Sequence, residues 1–466
     1  MEKPEQLYFG VVPQSYLTLD DAQSAIINWI FSKHCKGDFI LSIHDLADNT
    51  NPSTLIENLK WLGLDWKNDS TRNFHATIYQ SKRIELYQRE AWRLVSDGKA
   101  YACTRQIRAD QTTTACTAEC GESGQNDITQ LQLSNVKPAL YLRVDKNEYR
   151  FNDLVQGDIE FDAAALKDCL ILHKNGLPNP NFAIAVDLRD FEISTCFQKA
   201  HRYRDSLEQL LFLDALNASS VQYGHISSIK PVPYANLQNY EQRHSIDYYR
   251  CEGYLPESLL EFLSTVDIDE NLRFGYRNID DLIAGFSFTR LTDEFSEFDQ
   301  TRLDDINMKY MYESDIDKLM QVALPFFKEK GYPLNDLNTI KSLVSLLRTQ
   351  AHNLKMLASD AELFFHEERQ IDETDLRTIL MNENSQKIYW SFLRGLQSVN
   401  ELTAAAFIKI MHSVQTETGI MGKLLWAPIR IALTGKEMSC ELPRCAELLG
   451  KEKCEKLIKN TVKKLQ

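Results

Sequence analysis

Residues 18–45 read TLDDAQSAIINWIFSKHCKGDFILSIHD, and this stretch decides the fold of the N-terminal part of the chain. Its apolar residues recur with the 3.6-residue period of a helix, at Ala22, Ala25, Ile26, Trp29 and Ile30. Thr18 or Asp20 can cap the start of this helix, and Gly37 can stop it. FILSIHD is an apolar run between turn signals, which predicts a buried strand. A helix followed by such a strand is typical of a parallel sheet covered by helices.

The same alternation continues outward along the chain. Helical periodicity covers about 52–62, 82–96 and 203–216, and a strand is predicted over about 221–229. Between 101 and 190 a Thr-, Gln- and Cys-rich stretch and short strands indicate an insertion. Beyond residue 318 almost all of the sequence has helical periodicity. The sequence therefore predicts an α/β domain with an insertion, followed by an all-α region.

The composition limits the classes of protein to which the chain can belong. A chain of 466 residues with 43% hydrophobic and 25% charged residues should form several soluble domains. No stretch approaches the roughly 20 apolar residues of a membrane span. The N-terminus lacks the apolar core of a signal peptide, so we expect a cytoplasmic protein. The ten cysteines have no regular spacing, and we expect mostly reduced thiols.

The charge is unevenly distributed. A net charge of −14 argues against a nonspecific nucleic-acid binder, and we expect no DNA or membrane partner. Residues 266–317 hold fourteen acidic and five basic residues, whereas residues 451–466 hold six Lys and two Glu. The basic end is either a solvated amphipathic helix, which the sequence favours, or a phosphate-contacting end.

Several segments together carry a family resemblance: FILSIHDLADNT, LIENLKWLGLDW, YQSKRIELYQREAWRLVSDGKAYAC, DLVQGDIEFD, NFAIAVD, YYRCEGYLPESLLEFL and GKLLWAPIRIALTGKEMSCELPRCAELLG. In order and spacing they resemble the bacterial glutamyl-tRNA synthetases over nearly the whole chain. The resemblance implies a class I synthetase with a Rossmann-type catalytic fold, an insertion and an α-helical anticodon-binding region.

The resemblance also implies domain boundaries. Residues 1–102 and 191–236 would form the two halves of the Rossmann-type domain, interrupted by a connective insertion at 103–190. Residues 237–317 would form a stem-contact-like domain and 318–466 an α-helical anticodon-binding-like domain.

Both ATP-binding signatures of the family are replaced. The His-Ile-Gly-His-type tetrapeptide, whose histidines face the phosphates and whose glycine lets adenine approach, falls on Thr18, Leu19, Asp20 and Asp21. The Lys-Leu-Ser-Lys-Arg-type run falls on Asn236, Leu237, Gln238, Asn239 and Tyr240, with no cation. A carboxylate about 5 Å from a phosphate costs on the order of 3 kcal/mol at an effective dielectric constant of about 20. Asp20 and Asp21 otherwise favour the positive end of a helix.

The positions that bind glutamate in the family are replaced as well. Tyr8 and Gln198 stand where the family has arginines that pair with carboxylate, His44 replaces the acidic residue that receives the ammonium, and Pro180 replaces a tyrosine. Neither Tyr nor Gln reproduces a bidentate Arg–carboxylate contact. We therefore do not expect glutamate as ligand.

Two further sets of residues follow from the resemblance. Cys103, Cys116 and Cys120 could hold zinc with a histidine or water, although free thiols in a loop are favoured because Arg105 replaces the second ligand of the family. Basic residues that could contact tRNA are Arg348, Lys355, Lys423, Arg430 and Lys436.

The favoured hypothesis is a glutamyl-tRNA synthetase-like pseudo-enzyme that binds tRNA or a protein partner and is monomeric when free. The alternative is a working aminoacyl-tRNA ligase or acyl transferase with a rebuilt site around His44, Asp45, Lys199, His201 and Arg202. ATP and Mg²⁺ are expected only under that alternative. A third hypothesis is a chain that binds a protein partner and no longer binds tRNA.

Overall fold

The computed structural model describes residues 5–13, 16–46, 52–66, 77–103, 137–144, 148–162, 168–230, 244–266, 268, 278–291, 296–366, 379–380, 382–437 and 440–464. The chain forms two compact units. The first comprises residues 1–249 and 259–299, and the second comprises 250–258 and 300–466. The domain boundaries expected from the sequence stay predictions.

The first 299 residues contain both strands and helices. In chain order the strands are β1 (Gln6–Val11), β2 (Asp38–Ile43), β3 (Thr77–Tyr79), β4 (Ala100–Cys103), β5 (Ala139–Leu142), β6 (Glu148–Asp153), β7 (Gly157–Asp162), β8 (Cys169–Leu172), β9 (Thr195–Lys199), β10 (Gln222–Ile226), β11 (Ile229–Lys230) and β12 (Ser296–Glu297). The helices are α1 (Leu19–His34), α2 (Ser53–Trp61), α3 (Ile84–Ser96), α4 (Pro180–Asp190), α5 (Tyr203–Ala215), α6 (Ile246–Glu252), α7 (Pro256–Thr265) and α8 (Ile279–Ala284).

A five-stranded parallel sheet forms the centre of the first unit, in the order β10-β9-β1-β2-β3. The chain leaves β1 to one side for β2 and later returns to the other side with β9. This reversal is a topological switch point, where parallel sheets open a crevice at the carboxyl ends of their strands. The predicted parallel α/β sheet is confirmed.

Helix α1 starts as predicted. Thr18 is its N-cap, and the Thr18 Oγ1 accepts a hydrogen bond from the Asp21 backbone N–H at 3.0 Å. The end differs from the prediction: the left-handed residue is Lys36, with φ 54°, instead of Gly37. Gly37 is required for another reason, since a Cβ there would lie 2.2 Å from the Glu5 carbonyl oxygen.

The insertion contributes two small antiparallel sheets. Strands β4, β5 and β8 form one, and β6 and β7 form a hairpin. The hairpin reaches the main sheet at its end, where the Leu154 N–H donates to the Tyr223 carbonyl of β10 at 2.8 Å. Short strands form much of the described part of the insertion, as its sequence predicts, and the helix α4 (Pro180–Asp190) follows them at its end.

The Asn28 side chain joins α1 to the middle of the sheet. Its amide nitrogen donates to the Phe197 carbonyl of β9 at 2.9 Å, and its amide oxygen accepts from the Phe197 N–H at 3.0 Å. Asn28 is fully buried. In the described ladder, β1 and β9 pair only at Leu7 and Thr195. The amide therefore bonds to the backbone of β9 beyond the point where its pairing with β1 ends.

The second unit is helical. From residue 300 onward its helices are α9 (Gln300–Glu313), α10 (Ile316–Glu329), α11 (Leu337–Leu347), α12 (Leu354–Asp360), α13 (Glu362–Phe365), α14 (Glu383–Gln397), α15 (Ala404–Thr418), α16 (Lys423–Thr434), α17 (Leu442–Leu449) and α18 (Lys451–Lys464). One continuous apolar core, including Phe327, Phe392 and Phe407, packs between them. None of the helices in the described ranges has the length and apolar character required to cross a bilayer.

We predict that Asn28→Ala destabilises the first unit by about 2–4 kcal/mol, because it deletes three hydrogen bonds and leaves two buried backbone groups of Phe197 without partners. Urea denaturation followed by circular dichroism measures this loss. Asn384→Ala, at an exposed position in α14, is the matched control and should change stability by less than about 0.5 kcal/mol. Equal stabilities of the two variants would contradict the assigned role of Asn28.

Candidate functional site

A cavity of about 420 Å³ lies in the first unit, at the carboxyl ends of β1, β2 and β9. The starts of α1, α4 and α5 complete its wall. It therefore occupies the crevice at the switch point of the sheet, the usual ligand position in such folds. Six of the positions that the sequence identified as replaced ATP-site or glutamate-site residues line it: Tyr8, Asp20, Asp21, His44, Pro180 and Gln198.

Two carboxylates occupy the start of α1. The Thr18 hydroxyl donates to the Asp21 carboxylate at 2.7 Å, and burial raises the pKa of Asp21. The Asp20 carboxylate accepts from the Ile229 N–H at 3.0 Å and lies 3.1 Å from the Lys199 ammonium. The positive end of the helix is thus matched by the chain's own carboxylates. The second expected set, Asn236, Gln238 and Asn239, lies outside the described residues.

Tyr8 and His44 cover one side of the cavity. The Tyr8 hydroxyl and His44 Nε2 are 2.9 Å apart. A Cβ on Gly10 would lie 2.4 Å from His44 Nε2, so only glycine lets this ring approach the strand. Burial, reinforced by the charge of Arg202, lowers the pKa of His44 to about 3. His44 is therefore neutral at physiological pH, and Tyr8, whose pKa burial raises, is neutral as well.

Side-chain amides form the opposite side. The Gln198 Nε2 donates to the Gln209 Oε1 at 3.2 Å, and the Gln209 Nε2 donates to the Asn181 Oδ1 at 3.0 Å. Asn181 in turn donates to the Glu208 carboxylate at 2.9 Å. Pro180 occupies the first turn of α4, beside the Asn179 cap. This part of the cavity lining thus consists of polar side chains that bond to one another, and Phe9, Val12 and Ile184 add apolar surface elsewhere in the lining.

The residues proposed for a rebuilt site are only partly brought together. His44, Lys199, His201 and Arg202 line the cavity. Asp45 does not line it, because its carboxylate accepts from the Ser81 N–H at 2.8 Å and from the Ser81 hydroxyl at 2.6 Å. Asp45 therefore fixes the turn after β3 and is not placed to receive a substrate ammonium.

Comparison with known proteins places this geometry in a family. A model of the catalytic domain of class I tRNA synthetases (E and Q) matches residues 9–305, and an anticodon-binding-domain model matches residues 318–462. The chain belongs to this class I tRNA synthetase family. A relative from Staphylococcus saprophyticus, named glutamate–tRNA ligase, is 29% identical over 473 residues, covering 97% of this chain and 98% of the relative.

Two solved structures share the fold of this synthetase-family chain. A glutamate tRNA ligase from Elizabethkingia meningosepticum in complex with its amino acid has a TM-score of 0.83 at 18% identity, covering 100% of both chains. A glutamate-tRNA synthetase from Elizabethkingia anophelis has a TM-score of 0.81 at 18% identity, covering 99% of this chain and 100% of that one. The predicted family and fold class are therefore confirmed.

Sequence inspection missed one buried chain of polar groups beside the synthetase cavity. The Ser206 hydroxyl lies 2.9 Å from His225 Nε2, and His225 Nδ1 lies 2.6 Å from the Asp153 carboxylate. All three are buried, so Ser206 is not exposed as a nucleophile. The chain links α5, β10 and the end of β6. Its members lie far apart in the sequence. Asp153 begins the family-like segment DLVQGDIEFD, but no spacing in the sequence relates it to Ser206 and His225.

The cysteine set is only partly described. Cys103 ends β4 and is buried, whereas Cys116 and Cys120 lie outside the described residues. Over the ranges that the structure covers, no three His, Cys, Asp or Glu side chains are grouped to hold a metal ion. Zinc binding by these cysteines stays a prediction.

The cations suggested for tRNA contact all lie in the second unit, and each bonds within the protein. Lys355 pairs with Glu252 at 2.5 Å, Lys436 with Asp360 at 2.8 Å, and Lys423 with Glu437. Arg430 donates to the Cys440 carbonyl at 3.0 Å, and Arg348 to the Ser314 carbonyl at 3.0 Å. The three ion pairs are partly exposed and contribute little energy, so a phosphate can replace the carboxylate.

Arg348 also lines a cationic cavity of about 520 Å³ in the second unit. Lys341 and Arg444 contribute two more cations, and Glu447 is the carboxylate in the lining. The buried Nε of Arg348 has no hydrogen-bond partner among the described residues. Three cations against one carboxylate make the lining of this cavity net positive.

We predict that His44 makes folding stability depend on pH. The folded pKa of about 3 lies below the ordinary value of about 6.5, so the contribution is complete above pH 6.5 and is lost as pH falls towards 3. The loss should approach about 1.4 kcal/mol per pH unit. Urea denaturation between pH 7.5 and 4.5 should give a flatter profile for His44→Gln than for wild type. His412→Gln, at an exposed position, should keep the wild-type profile.

Proposed function

We propose that this synthetase-family chain does not activate glutamate with ATP and acts by binding tRNA or a protein partner. The observation that carries the proposal is the start of α1. Asp20 and Asp21 stand there in the crevice, where the resemblance implies the family's phosphate-facing tetrapeptide. Activation of a carboxylate by ATP needs preorganised cations or N–H donors around the phosphates.

Charge opposes a nucleotide in this crevice. Each carboxylate near a phosphate costs on the order of 3 kcal/mol at about 5 Å and an effective dielectric constant of about 20. Lys199 neutralises Asp20, so this cost applies in full only to Asp21. Arg202 offsets it only in part, because Arg202 also lies 4.0 Å from Asp205. Weak nucleotide binding is the expected consequence.

The positions at which the resemblance places the glutamate contacts also lack a cation. Tyr8 and His44 are neutral and bond to each other, and Gln198 bonds to Gln209. A glutamate carboxylate placed there would lose its hydration without gaining a charge-assisted bond. The neutral lining supports the loss of glutamate activation.

The second unit supports a binding role. It matches an anticodon-binding domain over residues 318–462, and the cavity around Arg348, Lys341 and Arg444 is cationic. Arginine binds phosphate through two parallel N–H donors, and stacks on bases. We propose tRNA as the first partner and a protein as the second, with the free chain monomeric and cytoplasmic.

One observation favours the alternative, a working aminoacyl-tRNA ligase or acyl transferase. The crevice still has a cavity of about 420 Å³, and His201 and Arg202 lie at its wall. Such a cavity can hold a small acyl substrate. ATP and Mg²⁺ would be needed only for this alternative.

We predict that ATP, glutamate and a non-hydrolysable glutamyl-adenylate analogue leave the Tm of the protein unchanged, because a ligand that binds the native state must raise it. Differential scanning fluorimetry with millimolar ligand and Mg²⁺ measures this. The Staphylococcus saprophyticus relative serves as positive control. Glutamate-dependent ATP–pyrophosphate exchange by this chain would overturn the proposal and support the alternative.

We predict that the protein binds unfractionated bacterial tRNA with an affinity that falls steeply with salt, because phosphate contacts release counterions. Arg348→Ala and Arg444→Ala should each weaken binding and flatten the plot of log K against log salt by about 1. Filter binding between about 50 and 200 mM salt measures this slope.

Lys318→Ala, at an exposed position of α10, is the matched control for these two variants. It removes one cation outside the cavity and should leave the salt slope near that of wild type. Failure of wild type to bind tRNA even at low salt would exclude the tRNA arm of the proposal and favour a protein partner.

A further inference from the structure

The Lys199 side chain lines the crevice, and its ammonium is buried and fully bonded. Its side chain is only 5% exposed. The Nζ donates to the Ser227 carbonyl at 2.8 Å and to Gln23 Oε1, and lies 3.1 Å from Asp20 Oδ1. An ammonium has three N–H donors, and these three acceptors use all of them. Lys199 therefore has no donor left for a ligand in the cavity.

The three acceptors come from different elements. Asp20 and Gln23 lie in the first turns of α1, and Ser227 follows β10. The same Asp20 oxygen also accepts from the Ile229 N–H at 3.0 Å. Lys199 itself ends β9. The ion pair thus joins the start of α1 to both strands on the far side of the switch point.

We propose that Lys199 is a built-in ligand of this crevice. Asp20, Gln23 and the Ser227 carbonyl form a site for a primary ammonium, and the chain fills it with its own side chain. The proposal rests on the proposed function in one respect: it takes the crevice to act without a bound nucleotide. The pair also affects which ligands the crevice can bind. It places a carboxylate, and a cation whose donors are already bonded, where a polyphosphate would have to bind.

The energetics favour an occupied site. A buried carboxylate or ammonium that loses its partner destabilises the fold, because its charge then has neither water nor a counter-ion around it. An ammonium site left empty by truncation of Lys199 should therefore accept a free primary alkylammonium. Lys199→Ala removes three methylenes and the amino group, and n-propylammonium has the same atoms.

The test is chemical rescue of Lys199→Ala, followed by Tm. Without amine the variant should melt more than about 5 °C below wild type. Added n-propylammonium chloride should restore at least about half of this loss in a saturable way, since binding to the native state raises Tm. If the variant does not fold alone, the refolding yield from urea with and without n-propylammonium gives the same readout.

Three controls separate an ammonium site from general effects. An equal concentration of 1-propanol with NaCl supplies the apolar chain and the ionic strength without the cation, and should not rescue. Lys199→Met fills the space without charge, so it should lose Tm and resist rescue. Lys60→Ala, at an exposed position of α2, should neither lose Tm nor respond to the amine.

Unchanged Tm in Lys199→Ala, equal rescue by 1-propanol with NaCl, or equal rescue of Lys199→Met would each overturn the inference. The assay contains no ATP, glutamate or tRNA, so its failure is distinguishable from failure of the proposed function. Glutamate-dependent pyrophosphate exchange by wild type would overturn the proposed function and leave the rescue result standing.

Discussion

The bond between the Asn28 amide and the Phe197 backbone is the constraint on which the first unit depends. A parallel sheet that opens between two neighbouring strands leaves buried N–H and C=O groups without partners, which is costly. Asn28 supplies a donor and an acceptor to one residue of β9 at the place where β1 has separated from it. The crevice can open without orphaned backbone groups, and α1 is held with its first turn facing the opening.

A helix start held in a crevice has a positive end that must meet negative charge. In an ATP-activating enzyme the phosphates can supply that charge. In this chain Asp20 and Asp21 supply it permanently, and Lys199 in turn neutralises Asp20. Tyr8 pairs with His44, and Gln198 with Gln209. These polar side chains of the lining therefore bond to one another. The replaced motifs are in this way parts of a single hydrogen-bonded and ion-paired arrangement.

Local patterns predicted the elements well because helix period, cap residues and apolar runs act over a few neighbours. The cap at Thr18 and the start of α1 followed from these patterns, whereas the placing of Tyr8, His44 and Gln198 around one cavity followed from the family resemblance. Contacts between distant segments did not. Neither the pairing of Asp45 with Ser81 nor that of Lys199 with Asp20 has a local signal, because each depends on which strand ends meet in space.

The Lys199–Asp20 pair also bears on the proposed loss of ATP activation. Replacing Asp20 alone by glycine would give back the family's residue but leave the Lys199 ammonium, 5% exposed, without its carboxylate. Breaking a buried pair in this way costs about 3–5 kcal/mol, against a total stability of about 5–15 kcal/mol for a domain. Replacing Lys199 alone leaves Asp20 beside the phosphates. Replacing Asp20 alone therefore lowers stability, and replacing Lys199 alone leaves a charge that repels phosphate. Neither residue can be replaced alone without one of these two costs.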